Sequence, residues 1–180
     1  MSIEHLKERL PEYAKDLKLN LSSIVTSSDK LTDQQIWGTL LASAMASGNE
    51  EVIQAISSEA SVHLSEVAVR AAKGAFAIMS MNNIYYRFVH LADSEEYKSL
   101  PAKLRMNIMG NPGVEKKDFE LWSLAVSAIN GCGMCINGHE AQLVREGASR
   151  EAIQQAVRIA AVVKAVAAVL SAESVAVSSQ

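Results

Sequence analysis

Apolar residues recur along this chain in steps of three and four, and no stretch sustains an alternation of apolar and polar residues. The N-terminal segment shows the spacing with Leu6, Leu10, Tyr13, Leu17, Leu21 and Ile24. Such steps place side chains on one face of an α-helix, whereas alternation is typical of a strand. Hydrophobic residues make up 49% of the chain and aromatic residues only 5%, a composition that suits close-packed helices. The sequence therefore predicts an all-α fold.

Local signals predict where several helices begin and end. Thr32 with Gln35 three residues later forms a capping-box pattern, which opens a helix. Gly147 is expected to end a later helix, because glycine readily adopts the left-handed conformation that follows many helices. The polar segment Ser22 to Asp29 predicts the first break in helical structure. Proline is tolerated in the first turn of a helix, so Pro101 is expected to begin a short helix that reaches Met109.

The second half of the sequence resembles the first half at a fixed offset. A shift of 85 residues without gaps brings together the identical pairs Asp33 and Asp118, Trp37 and Trp122, Gly48 and Gly133, Glu66 and Glu151, Ala71 and Ala156, and Ala75 and Ala160. Similarity at a constant period indicates a repeated structural unit. We expect residues 1–180 to form one domain, a duplicated helical bundle with copies at about 31–100 and 115–173 that share one hydrophobic core.

The segment GCGMCINGHE, residues 131–140, holds both cysteines of the chain, Cys132 and Cys135, and a histidine, His139. At these spacings the three side chains share one face of a helix. The preceding Asn130 and Gly131 are turn residues, which places Cys132 at or just before the helix N-terminus. There, unbonded N–H groups and the helix dipole favour a thiolate, and a neighbouring imidazole can take or return its proton.

Spacing alone leaves three interpretations of these residues open. The favoured one is a redox pair that alternates between dithiol and disulfide, a common use of C-x-x-C outside oxidising compartments. The second is a metal site, although Cys132, Cys135 and His139 supply only three ligands and no further Cys/His pair completes a tetrahedral set. The third is a pair of packed structural thiols. Covalent haem attachment requires a histidine directly after the second cysteine, where this chain has Ile136.

Only the second copy carries these residues. The matching positions of the first copy hold Ser47, Glu50 and Gln54 in place of Cys132, Cys135 and His139.

Glu120 is the only charged residue in the otherwise apolar stretch 119–129. A carboxylate is costly to bury unless it is paired or protonated. If the predicted turn joins two antiparallel helices, His139 lies within one helical turn of Glu120, and a proton relay from Glu120 through His139 to Cys135 becomes possible. The first copy has Gln35 at the matching position, and an amide cannot accept a proton. The alternative is that Glu120 is solvated in the first turn of its helix and complements the dipole.

Charge and hydropathy exclude several other classes of function. The net charge of −3 without a basic run argues against nucleic acid as a partner. Charged residues interrupt the N-terminus MSIEHLKERL, so no secretory signal is predicted and we expect a cytoplasmic protein. The most apolar segment, Ile159 to Leu170, contains Lys164 and is too short to span a membrane, which predicts a buried helix. That apolar helix also favours burial in an oligomer.

Glu120, eleven intervening residues, the C-x-x-C pair, three residues and His139 resemble the motif of the alkyl hydroperoxide reductase AhpD family. This family lies within the wider carboxymuconolactone decarboxylase-like superfamily. The chain length, the duplicated helical architecture and the segment MNNIYYRFVHL at 81–91 are also similar. The resemblance implies a homotrimeric peroxidase and disulfide reductase without a tightly bound cofactor or metal. Its reductant would be dihydrolipoamide on a 2-oxoacid dehydrogenase component, and it would pass electrons to the peroxiredoxin AhpC.

The resemblance also implies a role for each residue of the motif. Cys135 would react with the hydroperoxide and form a sulfenic acid, and Cys132 would act as proton donor and resolving thiol, giving a Cys132–Cys135 disulfide. His139 and Glu120 would relay the proton. Some family members carry a histidine between the cysteines where this chain has Met134, so any role of that imidazole is absent here or is taken by water.

Two other functions remain open from the sequence. One is a decarboxylase-like lyase or isomerase that acts on a cyclic lactone and does not need a redox pair. The other is a metal-stabilised helical interaction module without catalysis. The methionines Met79, Met81, Met106 and Met109 are interpreted as adaptable core filler.

Overall fold

The computed structural model describes residues 1–26 and 29–177, with side chains to residue 175, and that part of the chain contains helices and no strand. The α-helices are α1 (Ile3–Arg9), α2 (Lys15–Thr26), α3 (Asp33–Ser47), α4 (Glu50–His63), α5 (Glu66–Leu91), α6 (Glu96–Ser99), α7 (Lys116–Ile129), α8 (Gly133–Arg145) and α9 (Arg150–Val177). Two short 3-10 helices, Glu12–Ala14 and Asn107–Met109, complete the set. The predicted all-α class is confirmed.

The observed helix ends explain why the capping-box and glycine signals predicted them correctly. Thr32 accepts the backbone N–H of Gln35 on its hydroxyl, and the Gln35 side chain accepts the N–H of Thr32, so the predicted capping box is present. Gly147 has a φ of +76° after α8, and the next residue donates its N–H to the carbonyl of Leu143 at 2.9 Å. This bond satisfies one of the carbonyls left open at a helix C-terminus.

Two of the predicted boundaries were wrong. The predicted break Ser22 to Asp29 begins too early, because α2 runs to Thr26 with the Ser22 hydroxyl bonded to the carbonyl of Lys18 at 3.1 Å. Residues 27–28 of that segment lie outside the described part of the chain. No helix begins at Pro101, because Lys103 has a φ of +52°, a left-handed value that a right-handed helix cannot include.

The two predicted copies have matching helices. Helices α3, α4 and α5 contain 15, 14 and 26 residues, and α7, α8 and α9 contain 14, 13 and 28. Helix α3 packs against α4, α5, α7 and α9, while α7 packs against α8, α9, α3 and α5. Each copy therefore contributes one central helix that touches helices of both copies. We propose that the two triplets are copies of one unit that share a single core.

The contact between the two central helices depends on a glycine. Trp122 of α7 is fully buried and donates its indole N–H to the carbonyl of Gln35 in α3 at 3.4 Å. A Cβ atom placed on Gly38 would lie 2.1 Å from the Trp122 ring, closer than any packed side chain allows. The absence of a side chain at Gly38 lets α3 and α7 approach, and this contact fixes α7, which carries Glu120.

Helix α9 is long and apolar enough, by length and composition alone, to cross a membrane. The structure instead buries 56% of its most apolar window inside the protein. Ile159, Val163, Val166 and Leu170 are all buried in the core. The predicted buried helix at 159–170 is therefore the central part of a long core helix.

Candidate active site

The cysteine segment begins at a tight turn between α7 and α8. Gly131 has a φ of +67°, a conformation that a residue with a Cβ atom rarely adopts. Cys132 follows as the residue just before α8, with its backbone N–H bonded to the carbonyl of Ser127 at 3.1 Å. Its sulfur accepts the backbone N–H of Cys135 at 3.3 Å. The predicted position of Cys132 at the helix N-terminus is confirmed.

The two cysteines are joined in a disulfide. Their Cα atoms lie 5.3 Å apart, a separation that a disulfide spans without moving the backbone. Cys132 is fully buried, whereas Cys135 is partly exposed. The two sulfurs are bonded to each other, so neither is available as a metal ligand in the disulfide state. Within the described residues, no three His, Cys, Asp or Glu side chains meet in a group that could hold a metal ion.

Glu120 and His139 form a buried pair next to the disulfide. The His139 Nδ1 atom lies 2.6 Å from the Glu120 carboxylate, and each side chain is only 9% exposed. The antiparallel hairpin of α7 and α8 brings them together, as the position of the turn predicted. The alternative of a solvated Glu120 is wrong, because this carboxylate is inside the protein and bonded to the imidazole.

The second nitrogen of His139 contacts a residue from the first copy. Its Nε2 atom lies 3.2 Å from the sulfur of Met79, which is buried on α5. A thioether carries no proton and can only accept a hydrogen bond, so a hydrogen bond between these two atoms requires a proton on Nε2. In the disulfide state His139 therefore bonds Glu120 and Met79 rather than Cys135, and the sequence interpretation of Met79 as core filler missed this contact.

A pocket of about 530 Å³ opens beside the disulfide. Cys135, His139 and Glu120 lie in its wall. Four methionines line it as well: Met79, Met106, Met109 and Met134. A thioether chain is flexible and apolar, so this wall can adapt to alkyl groups of different shape.

A hydrogen-bonded chain of polar residues holds the cysteine turn against α5. Arg87 donates to the carbonyl of Asn130 at 2.6 Å, and the Asn130 amide donates to Asn83 at 3.0 Å. Asn83 in turn donates to the hydroxyl of Ser127 at 2.9 Å. The sequence analysis identified Asn130 only as a turn residue and missed these hydrogen bonds, although polar residues such as Asn83 inside an otherwise apolar helix were a usable signal.

An all-helical core with a redox-capable disulfide beside a pocket and a buried Glu–His pair defines a class of thiol-dependent oxidoreductase. The model of the carboxymuconolactone decarboxylase family matches residues 95–178 of this chain. The alkyl hydroperoxide reductase AhpD of Maricaulis maris is 63% identical over 97% of this chain and 100% of its own length. The AhpD proteins of Rhodospirillum centenum and Streptomyces coelicolor are 59% and 56% identical, again over 97% of this chain. The chain belongs to the alkyl hydroperoxide reductase AhpD family.

Proposed function

We propose that this protein is an alkyl hydroperoxide reductase that uses Cys132 and Cys135 as its redox pair. The observation that carries the proposal is the Cys132–Cys135 disulfide, one end of which lines a pocket shared with the bonded Glu120–His139 pair. The names of the relatives point to the same activity.

The oxidation begins at Cys135, the partly exposed cysteine of the pair. The Cys135 thiolate attacks the terminal oxygen of the hydroperoxide, the O–O bond breaks, and Cys135 becomes a sulfenic acid. The leaving alkoxide takes up the proton that the thiol lost and departs as an alcohol. His139, one helical turn from Cys135 and bonded to Glu120, is the group that moves this proton. The exposure of Cys135 and the burial of Cys132 support this assignment.

The second step closes the disulfide. The Cys132 thiol attacks the sulfur of the Cys135 sulfenic acid, the S–O bond breaks, and water leaves. Burial suits Cys132 to this step, because a buried thiol is protected from peroxide but lies within bonding distance of its neighbour.

A dithiol then restores the pair. One thiolate of dihydrolipoamide attacks Cys135 and expels Cys132 as a thiolate, and its second thiol releases the reduced protein together with oxidised lipoamide. The position of Cys132 at the N-terminus of α8 stabilises the expelled thiolate. The bonded Glu120–His139 pair lies beside the disulfide and is the group that returns a proton to the expelled sulfur.

We further propose the cellular setting that the family resemblance implies. A lipoylated dehydrogenase component supplies electrons, and the peroxiredoxin AhpC is a protein that receives them. The chain acts as a homotrimer in the cytoplasm, without a tightly bound cofactor.

A thiol titration tests the central proposal. Addition of one equivalent of an organic hydroperoxide to the reduced protein is expected to remove both thiols together, because the sulfenic acid is resolved within the molecule. Cys132→Ser is expected to retain the reaction with peroxide but to stop at a trappable sulfenic acid. Loss of no thiol, or activity on a lactone that survives thiol alkylation, would contradict the proposal and favour the lyase alternative.

A further inference from the structure

The active-site pocket is positively charged at one end. Lys116 and Arg145 line it, and no ion pair joins either of them to an acid in the described part of the chain. Arg145 makes its side-chain hydrogen bonds to the neutral Gln142, at 2.6 and 3.2 Å. Glu120 is the one acid among the described lining residues, and it is bonded to His139. The pocket therefore offers a ligand two cationic side chains that have no direct ion-pair partner among the described residues.

The two cations lie at the end of the hairpin remote from the cysteines. Lys116 is the first residue of α7 and Arg145 is the last residue of α8, and the turn between the two helices immediately precedes Cys132. Ten residues of α8 separate Cys135 from Arg145, which corresponds to about 15 Å along the helix axis. An extended chain advances about 1.2 Å per bond, so a molecule of roughly a dozen bonds spans this distance.

We propose that the pocket binds hydroperoxides of long-chain carboxylic acids. The hydroperoxide group lies beside Cys135, the alkyl chain lies against the methionines, and the carboxylate lies between Lys116 and Arg145. This inference rests on the proposed peroxidase function and names the substrate class of that site. It differs from a general alkyl hydroperoxide specificity because it assigns a role to the charge at the far end of the substrate.

Enzyme kinetics with a matched pair of substrates tests the inference. The 13-hydroperoxide of linoleic acid and its methyl ester differ only at the carboxylate, and about twelve bonds separate the hydroperoxide carbon from the carboxyl carbon, which is the required length. We expect kcat/KM to be about five- to tenfold higher for the acid, because exposed ion pairs contribute modestly. The preference should appear in KM rather than kcat, because the carboxylate contact is made equally in the ground state and the transition state.

Variants with the same charge change supply the control. Lys116→Gln combined with Arg145→Gln is expected to abolish the acid preference and to leave turnover of the ester within about twofold. Lys117→Gln combined with Arg158→Gln removes the same net charge from residues that do not line the pocket, and this double variant should keep the preference. Equal losses in both double variants would mean that only the overall charge matters and would overturn the inference.

The unaltered protein separates this inference from the proposed function. If it reduces the ester without preferring the acid, the inference fails and the peroxidase function stands, whereas reduction of neither substrate nor cumene hydroperoxide refutes the proposed function itself.

Discussion

Helices α4 and α8 occupy matching positions in the two proposed copies, but both cysteines of the chain lie in the first turn of α8 or just before it. In α4 the positions of Cys135 and His139 hold Glu50 and Gln54, which are hydrogen-bonded to each other at 3.0 Å on the exposed surface. In α8 the imidazole is buried against Glu120. The matching helices therefore present an exposed polar pair in one proposed copy and a buried, bonded Glu–His pair in the other.

The residues that pack over these two helices from the opposite copy also differ, one being apolar and the other charged. Met79 of α5 contacts His139, and the residue that matches it in α9 is Lys164. Lys164 extends its ammonium group to the carbonyl of Ser47 at 3.1 Å, and Ser47 is the match of Cys132. An apolar thioether lies against the imidazole in one proposed copy, whereas an ammonium group lies at the matching place in the other. The two proposed copies therefore differ in the residue that packs over them from the opposite copy as well as in the motif.

The largest expected effect is at the nucleophile. Cys135→Ser is expected to lower dihydrolipoamide-dependent consumption of hydroperoxide by about 10³-fold or more, because a serine hydroxyl forms neither a sulfenic acid nor a disulfide. Glu50→Ser changes the matching position of the first copy and should leave the rate unaltered. Turnover that survived in the Cys135 variant would refute the functional difference between the copies.

The second largest effect is expected at the Glu120 carboxylate. Glu120→Gln gives the second copy the amide that the first copy has at Gln35, where the side chain is bonded to Asp118 at 2.7 Å and to the backbone of Thr32. The amide can still bond His139 but cannot exchange a proton, so kcat is expected to fall by about 10²-fold while the disulfide still forms with stoichiometric peroxide. The kcat for hydroperoxide and the yield of disulfide are measured in both proteins. An unaltered kcat would show that Glu120 only positions the imidazole.

A third prediction compares stability at another matched pair. Gly38→Ala forces a Cβ atom against Trp122 and is expected to cost about 1–3 kcal/mol in the free energy of unfolding, measured by urea denaturation. The matching residue, Ser123, has a buried hydroxyl without a hydrogen-bond partner among the described residues. Ser123→Ala removes that unsatisfied group and should be neutral or slightly stabilising. Equal destabilisation by both changes would contradict the asymmetric packing of the two central helices.

The smallest effect is expected at Met79. Met79→Leu keeps the volume but removes the sulfur that accepts the His139 Nε2–H, so reduction of the disulfide by dihydrolipoamide should slow by about fivefold. The reaction of the reduced protein with peroxide should change by less than about twofold, and the ¹⁵N resonance of Nε2 should shift in the oxidised protein. Met106→Leu is the control, because Met106 lines the same pocket and makes no hydrogen bond to His139 among the described residues. If both variants behave alike, the loss of packing rather than the loss of the acceptor explains the result.

The sequence by itself determined whatever depends on neighbours along the chain. The helical class, the capping box at Thr32 and the position of Cys132 before α8 follow from contacts within a few residues, and spacing reports these directly. The pairing of Glu120 with His139 could also be predicted, because a tight turn between two helices fixes which residues lie opposite each other. The one failed helix start, at Pro101, came from a proline signal that permits a helix without requiring one.

Only the tertiary structure decided which residues surround the Glu120–His139 pair. The contact of Met79 with His139 joins residues 60 positions apart, and the bond from Asn83 to Ser127 joins residues 44 apart. No local spacing encodes such distances, because they depend on how α5 packs across the α7–α8 hairpin. The arrangement of the pocket, with its methionine wall and charged end, has the same origin, since helices distant in sequence enclose it only after the core has formed.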